Sequence, residues 1–369
     1  MRRYLVDIIA KDLERKMVFL AGPRQVGKTT IARSLLSEDL GYMNWDTPEG
    51  REQILKRQFP ASPILVFDEL HKYRGWRNYL KGIFDSVHRR SQILVTGSAR
   101  LDYYSRGGDS LQGRYHLLRL HPLSVAELRI DSDSALEHLL KRGGFPEPYF
   151  ASSEEEARRW VREYRTLIVR EEVTDLERVT DLGKLELLVM RLPELVGSPL
   201  SLNALREDLE VSHKTVSRWI EVLERLYVLF RLAPFGSSKI KAVKKERKHY
   251  HYDWSVVEDL GARFENLVGS HLLKWIHYQQ DVEGRDLDLQ YLRDQSGREI
   301  DFVITEKRKP ITFIECKLSA REISKSLRYF QERFPETEAI QVVEKLDREY
   351  LSGDGIRVVP ALQFLSTLV

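Results

Sequence analysis

Two hydrophobic periods divide the chain. Leu5, Ile8, Ile9 and Leu13 recur at three- and four-residue intervals and predict an amphipathic helix within residues 2–16. Residues 18–20, 64–67 and 93–95 are unbroken apolar runs, the pattern of strands buried on both faces in a parallel sheet. Residues 42–45 and 115–120 predict two more strands, and residues 30–36 are rich in helix formers. Strands alternating with helices imply an α/β core over residues 1–133.

Between residues 134 and 195, Leu, Val and Trp fall every three or four positions among dense charge, which predicts a helical region over 134–196. Glu154-Glu155-Glu156 reads as a solvated helix start, and Gly143-Gly144 with Pro146 and Pro148 breaks the pattern where a hinge is expected. From residue 197 two short helices, 201–209 and 214–226, are joined by a turn at 210–212 and followed by an apolar strand at 227–233. That order predicts a winged helix-turn-helix over residues 197–252. Residues 253–369 return to an α/β pattern: an amphipathic helix from Phe264 to Trp275, then strands at 291–293, 299–304 and 311–318.

The first apolar run leads into Gly22, Pro23, Arg24, Gln25, Val26, Gly27, Lys28, Thr29 and Thr30. Gly22, Gly27, Lys28 and Thr29 fit G-x-x-x-x-G-K-[ST], a loop whose backbone N–H groups cradle phosphates. Lys28 is expected on the outer phosphates and the Thr29 hydroxyl on Mg²⁺, so the nine residues are candidate ATP contacts. The second run ends in Asp68-Glu69. A buried strand delivering two carboxylates beside a phosphate loop suits nucleotide hydrolysis, with Asp68 holding Mg²⁺ through its water shell and Glu69 orienting or deprotonating the attacking water. The third run ends in Thr96-Gly97-Ser98, where Ser98 is either a sensor of the γ-phosphate or part of a plain turn. Arg114, just before the strand at 115–120, is either an arginine that reaches a neighbouring subunit's phosphate or a surface arginine.

Composition narrows the partners. The chain has 369 residues, 31% of them charged, with a formal net charge of only +3, so a nucleic-acid surface must be a local patch. Residues 239–248 supply one: six Lys or Arg and one Glu, among them Lys244, Lys245 and Arg247, suited to a wing or arm on phosphates, a solvated loop being the alternative. The second helix of the winged pattern would present His213, Lys214, Thr215, Ser217 and Arg218 to a DNA groove, or to a protein partner. The single cysteine, Cys316, excludes an internal disulfide framework and a Cys-based zinc site. No apolar run approaches the roughly 18 residues of a membrane span, and the first residues carry acids where a secretory signal stays apolar. A cytoplasmic protein without a membrane partner is expected.

The segments GPRQVGKTT, FDELHKYRGWRNYLKGIFD, LVTGSARL, SLQGRYHLLRLHPLSVAEL and GGFPEP together resemble AAA+ ATPases widespread in bacteria and archaea, which pair this core with a C-terminal domain long labelled as of unknown function. The likeness runs through nearly the whole chain. It implies a P-loop core with a helical lid and ATP and Mg²⁺ as cofactors; a homo-oligomer, in which Arg114 would act in trans, stays open beside a single copy. No clear second-sensor arginine stands in the helical region.

The last part carries a second constellation. On the strand at 311–318 Glu315 and Lys317 are two apart and project to one face, while Ile314, Cys316 and Leu318 are expected to face the core. With Asp301 on the preceding strand they fit D-x(n)-E-x-K, and Glu265 lies on the helix before both. In a metal nuclease the carboxylates hold Mg²⁺ and the lysine positions water or stabilises charge on the scissile phosphate. This order resembles the PD-(D/E)xK nuclease fold of Holliday junction resolvases and restriction enzymes, which implies branched or broken DNA as a partner. The expectation is an ATP-hydrolysing DNA binder in genome maintenance. An ATP-gated nuclease of repair or defence and a nucleotide-dependent protein-binding switch remain open beside it.

Overall fold

The computed structural model describes residues 1–37, 39–87, 91–97, 101, 111–173, 181–236, 246–320 and 322–369. They form two units, Met1–Pro122 with Arg225–Tyr227, and Leu123–Glu224 with Val228–Val369.

In the first unit the apolar runs become β1 (Met17–Ala21), β3 (Ile64–Asp68) and β4 (Gln92–Thr96), with β2 (Tyr42–Asn44) and β5 (Tyr115–Arg119) outside them. Among the described residues the order is β2-β3-β4-β1-β5, parallel throughout. Strand β1, flanked by β4 and β5, is buried at every position, as an unbroken apolar run requires between two helical layers. Helices α1 (Val6–Leu13), α2 (Lys28–Ser34), α3 (Pro48–Lys56) and α4 (Trp76–Val87) surround the sheet. Helix α3 starts where the sequence provides a start: Thr47 accepts a hydrogen bond from Gly50 N, and Pro48 occupies the first turn. Phe19, Phe67, Trp76, Leu80 and Val95 share the core. Because the strands are parallel, β1, β3 and β4 end along one edge, and the phosphate loop from Gly22 to Thr30 gathers there with Asp68 and Glu69.

In the second unit α5 (Asp133–Arg142) stops at Gly143, whose φ of 78° suits glycine, and α6 (Glu154–Leu167) begins with Ser153 accepting from Glu156 N and three glutamates in its first turn. Helices α7 (Leu182–Arg191), α8 (Leu202–Asp208) and α9 (His213–Arg225) precede β6 (Leu229–Pro234) and β7 (Lys248–His251), an antiparallel pair. The long helix α10 (Leu260–Asp281) leads to β8 (Leu287–Arg293), β9 (Glu299–Glu306), β10 (Lys309–Ser319), α11 (Lys325–Arg333), β11 (Glu338–Lys345), β12 (Tyr350–Leu351) and β13 (Arg357–Pro360).

Among the described residues these strands form one sheet, ordered β12-β13-β11-β10-β9-β8-β6-β7. Ala233 and Pro234 of β6 pair with Gln290 and Tyr291 of β8, so the division expected at 252/253 falls inside a continuous sheet. Both of its faces are covered. Gly269 of α10 approaches Phe302 so closely that a Cβ would lie 2.8 Å from the ring, while Val303 and Phe313 pack with Leu327 and Phe330 of α11.

This double cover corrects the expected split into an ionic and an apolar face. Glu315, on the side of Phe313, is only 6% exposed, whereas Cys316 is half-buried and Leu318 is 36% exposed. Beyond Ile314 strand β10 loses its pairing with β9 and keeps only β11, so alternation stops deciding burial there.

Candidate functional site

The phosphate-binding loop is shaped by its backbone. Gly22 has φ 151°, and a Cβ there would lie 2.3 Å from the Leu120 carbonyl oxygen, so only glycine fits beside β5's exit. Gln25 at φ 59° and Gly27 at φ 101° both have positive φ, the kind of backbone from which anion-binding nests are built. Lys28 opens α2 and is buried, its ammonium donating to the carbonyls of Gly22 (2.9 Å) and Pro23 (2.6 Å). Arg3 is a residue that sequence reasoning passed over. Its guanidinium donates to Val26 O at 2.6 Å and His121 O at 2.5 Å, tying the loop to the segment after β5.

Asp68 ends β3 inside a ring of hydroxyls: Thr96 donates at 2.5 Å, Thr29 at 3.1 Å, and Tyr42 also donates. The Thr29–Asp68 contact brings together the two residues expected to share a Mg²⁺ ion. The donor set fits a hard cation, since hydroxyl and carboxylate oxygens are the ligands Mg²⁺ takes. Glu69 follows at φ 56°, a left-handed conformation that is strained for a non-glycine residue, and its N–H is held by Thr96 O at 3.0 Å. Burial raises the Glu69 pKa; Lys28 opposes the shift and Asp68 adds to it. His71 Nε2 and Lys72 Nζ stand 3.6 and 3.7 Å from the Glu69 carboxylate.

Ser98 lies outside the described residues. Arg114 stands at the opposite end of the sheet from the loop, its carbonyl accepting from Met17 N at the start of β1. Its guanidinium pairs with Asp85 at 3.0 Å.

The second constellation is also brought together, with additions. The Glu315 carboxylate accepts from Lys317 at 2.8 Å and from Ser324 at 3.1 Å. Asp301 Oδ2 accepts from Cys316 N at 2.9 Å, which fixes it beside β10. Glu265 accepts from the Tyr250 hydroxyl at 2.6 Å and lies 3.4 Å from the Lys248 ammonium. Lys248 also meets Glu299 and lies 3.9 Å from Asp301. Burial, then the nearby Asp301 charge, raises the pKa of both Glu265 and Glu315; Lys248 and Lys317 oppose the respective shifts. Among the described residues Glu315 Oε2 is buried without a hydrogen-bond partner. Lys248, expected at the end of the basic run on phosphates, is instead buried among these acids, because β7 joins the cluster through the sheet and brings Tyr250 with it; Glu299, two residues before Asp301 on β9, shares its face by strand alternation.

On α9 the apolar side is buried through Val216, Trp219, Ile220 and Leu223. His213, Lys214 and Arg218 are exposed, Thr215 and Ser217 partly so, and Ser212 accepts from Thr215 N at 3.1 Å at the helix start. Arg247 is partly exposed and its carbonyl accepts from Leu200 N at 2.9 Å; Lys244 and Lys245 lie outside the described residues.

Comparison with known proteins agrees with this first site. Residues 14–129 match a family model described as an AAA domain; residues 133–266 and 260–364 match two models described as domains of unknown function, DUF8612 and DUF4143. The chain is an α/β protein with a parallel-sheet P-loop AAA+ core and an additional C-terminal α/β part. Uncharacterized protein Rv2008c of Mycobacterium tuberculosis is 24% identical over 371 residues, spanning 95% of this chain and 81% of that protein. Uncharacterized protein MJ1637 of Methanocaldococcus jannaschii is 22% identical over 391 residues, spanning 87% and 80%. Among solved structures, a RuvB variant from Thermotoga maritima aligns at 20% identity over 62% of this chain and 88% of its own, with a TM-score of 0.33. The Aeropyrum pernix Orc1 protein in complex with DNA aligns at 19% identity over 72% and 90%, also with a TM-score of 0.33. Among the described residues no helix is long and apolar enough to cross a membrane.

Proposed function

We propose that this protein hydrolyses ATP and uses the nucleotide cycle to change how its second unit engages DNA. The observation that carries the ATPase reading is the Thr29–Asp68–Thr96 constellation beside a glycine-shaped loop that matches the AAA domain model. In this reading Lys28 binds the outer phosphates, Thr29 and Asp68 hold Mg²⁺, and Glu69 orients the attacking water. The bound Mg²⁺-nucleotide supplies the scissile phosphoanhydride and the charge these side chains neutralise. Ser98 is the sensor, and Arg114 serves a neighbouring copy, because its own loop is at the far end of the sheet. Residues 134–196 act as the lid, and the nine-residue loop from Gly22 to Thr30 as the nucleotide cradle.

The DNA reading is supported by α9, which keeps His213, Lys214 and Arg218 exposed while its apolar side is fully used in packing. Thr215, Ser217, Lys244, Lys245 and Arg247 complete the contact, the winged helix spanning residues 197–252 and a nuclease-like region residues 253–369. Retardation of duplex, single-stranded and four-way-junction DNA at two salt concentrations, with and without ATP and Mg²⁺, tests it. Retention that weakens with salt and drops in Lys214→Ala/Arg218→Ala is expected. No retention of any DNA at low salt would turn the reading to a protein-binding switch, and a denaturing gel on the same samples reads out cleavage.

A further inference from the structure

Lys248 is fully buried, and its surroundings are those of a bound cation. Its ammonium stands 3.4 Å from Glu265 Oε1 and 3.9 Å from Asp301 Oδ1 and is in contact with Glu299. The backbone that delivers it is fixed: Asn266 Oδ1 accepts from His251 N at 2.8 Å, and Asn266 Nδ2 donates to His251 O at 2.7 Å, closing the free edge of β7. Nearby, Lys317 pairs with Glu315, and Arg293 lies 3.5 Å from Glu299. Four carboxylates therefore meet three cationic groups.

A divalent ion requires surplus negative charge and several oxygens that can close to about 2.0–2.6 Å around one point. Here the point between Glu265, Glu299 and Asp301 holds an ammonium with three N–H groups. Among the described residues no group of three or more His, Cys, Asp and Glu side chains is arranged to hold a metal. Glu315 Oε2, though unpartnered, supplies a single ligand oxygen. The Mg²⁺ expected from the nuclease resemblance does not fit the cluster as it stands.

We infer that Lys248 is the resident cation of this cluster and bars a divalent ion from the position between Glu265, Glu299 and Asp301. The inference rests on reading the cluster as nuclease-like. It makes the cluster a closed ionic lock in which a strand-borne lysine does the charge balancing that a metal does in a hydrolytic site. Removing one member of such a buried set leaves the others uncompensated, so the lysine is held as firmly as the acids.

The test is Mn²⁺ binding to the full chain without nucleotide, followed by the electron paramagnetic resonance signal of free Mn²⁺. Asp68→Asn is present in every sample to remove binding at the phosphate loop. With Lys248 in place, adding Asp301→Asn should change nothing at Mn²⁺ concentrations up to millimolar. Lys248→Met should gain a site that Asp301→Asn then abolishes. If Lys248→Met does not fold by circular dichroism, Lys248→Gln, which removes the charge and keeps a polar side chain among the three carboxylates, takes its place. Asp301-dependent Mn²⁺ binding in the presence of Lys248 overturns the inference, as does a folded lysine variant that gains no site. DNA retention by the same samples reads the proposed function separately, so either can fail alone.

Discussion

His249 and His251 lie on the other side of β7 from Lys248 and Tyr250, buried, with ring centroids 5.7 Å apart. His249 Nε2 is 2.9 Å from Leu192 O, so Nε2 carries the proton and Nδ1 is bare. Among the described residues neither His249 Nδ1 nor His251 Nε2 meets a hydrogen-bond partner, so a second proton on either ring finds no acceptor. Burial lowers the pKa of His249 to about 4 and of His251 to about 3; the Leu192 carbonyl opposes both shifts, Arg231 adds to the first, and His249 and Arg165 add to the second. Both folded values lie below the unfolded 6.5, so the unfolded strand binds more protons in acid, and stability present near neutrality is lost as pH falls. Between pH 7 and 5 each ring costs about 2 kcal/mol, together about 4 kcal/mol, or roughly a thousandfold in the opening constant of β7. Asp253, Glu265 and Glu315 have pKa values raised first by burial and act in the opposite sense, gaining stability for the fold as pH drops. A comparison between variants cancels them. The perturbation is His249→Gln with His251→Met, and the assay is amide hydrogen exchange across β7 at pH 7 and pH 5, corrected for intrinsic exchange. The wild type should lose roughly a thousandfold more protection than the variant. Equal losses in the two proteins would refute the assignment of the acid sensitivity to these rings.

Three further outcomes follow from the first unit. Arg3→Ala removes two charge-assisted hydrogen bonds to the loop and the segment after β5, and should lower nucleotide affinity in a fluorescent-nucleotide titration while costing about 2–3 kcal/mol of stability. Gly22→Ala forces a Cβ against Leu120 O and should weaken nucleotide binding at least about tenfold, about 1.4 kcal/mol, by calorimetry, with the sheet intact by circular dichroism. Glu69→Gln should keep nucleotide binding and lose about 10²–10⁴ of turnover in a phosphate-release assay, and the raised Glu69 pKa should place the acid limb of wild-type turnover above 4.5.

What was legible in the sequence was local. The apolar runs gave β1, β3 and β4, and the glycine spacing gave the phosphate loop, because each is encoded within a few residues. The α9 face was legible for the same reason: Val216, Trp219, Ile220 and Leu223 repeat at helical spacing and leave Lys214 and Arg218 outside. Residues that act across the fold were not legible. Arg3 meets Val26 and His121, Tyr42 meets Asp68, and Lys248 meets Glu299, and no periodicity marks such partners. The alternation on β10 misled at Cys316 and Leu318, since period two assigns faces and leaves open how far each face is covered. Arg114 illustrates a further limit, because its pairing with Asp85 depends on α4 lying beside β5's start.

The four residues of β7 also work as a proofreading device for strand pairing. A slip of one position along β6 would present His249 to Glu265 and Glu299 and would drive the Lys248 ammonium toward the apolar surroundings of Leu192. Both errors are costly at once, one leaving carboxylates without their counter-charge and the other burying a charge without a partner. The alternative alignments of this edge strand are therefore separated from the native one by two penalties that a single slip incurs together. Misassembly of the sheet where two sequence regions meet is selected against by four consecutive side chains.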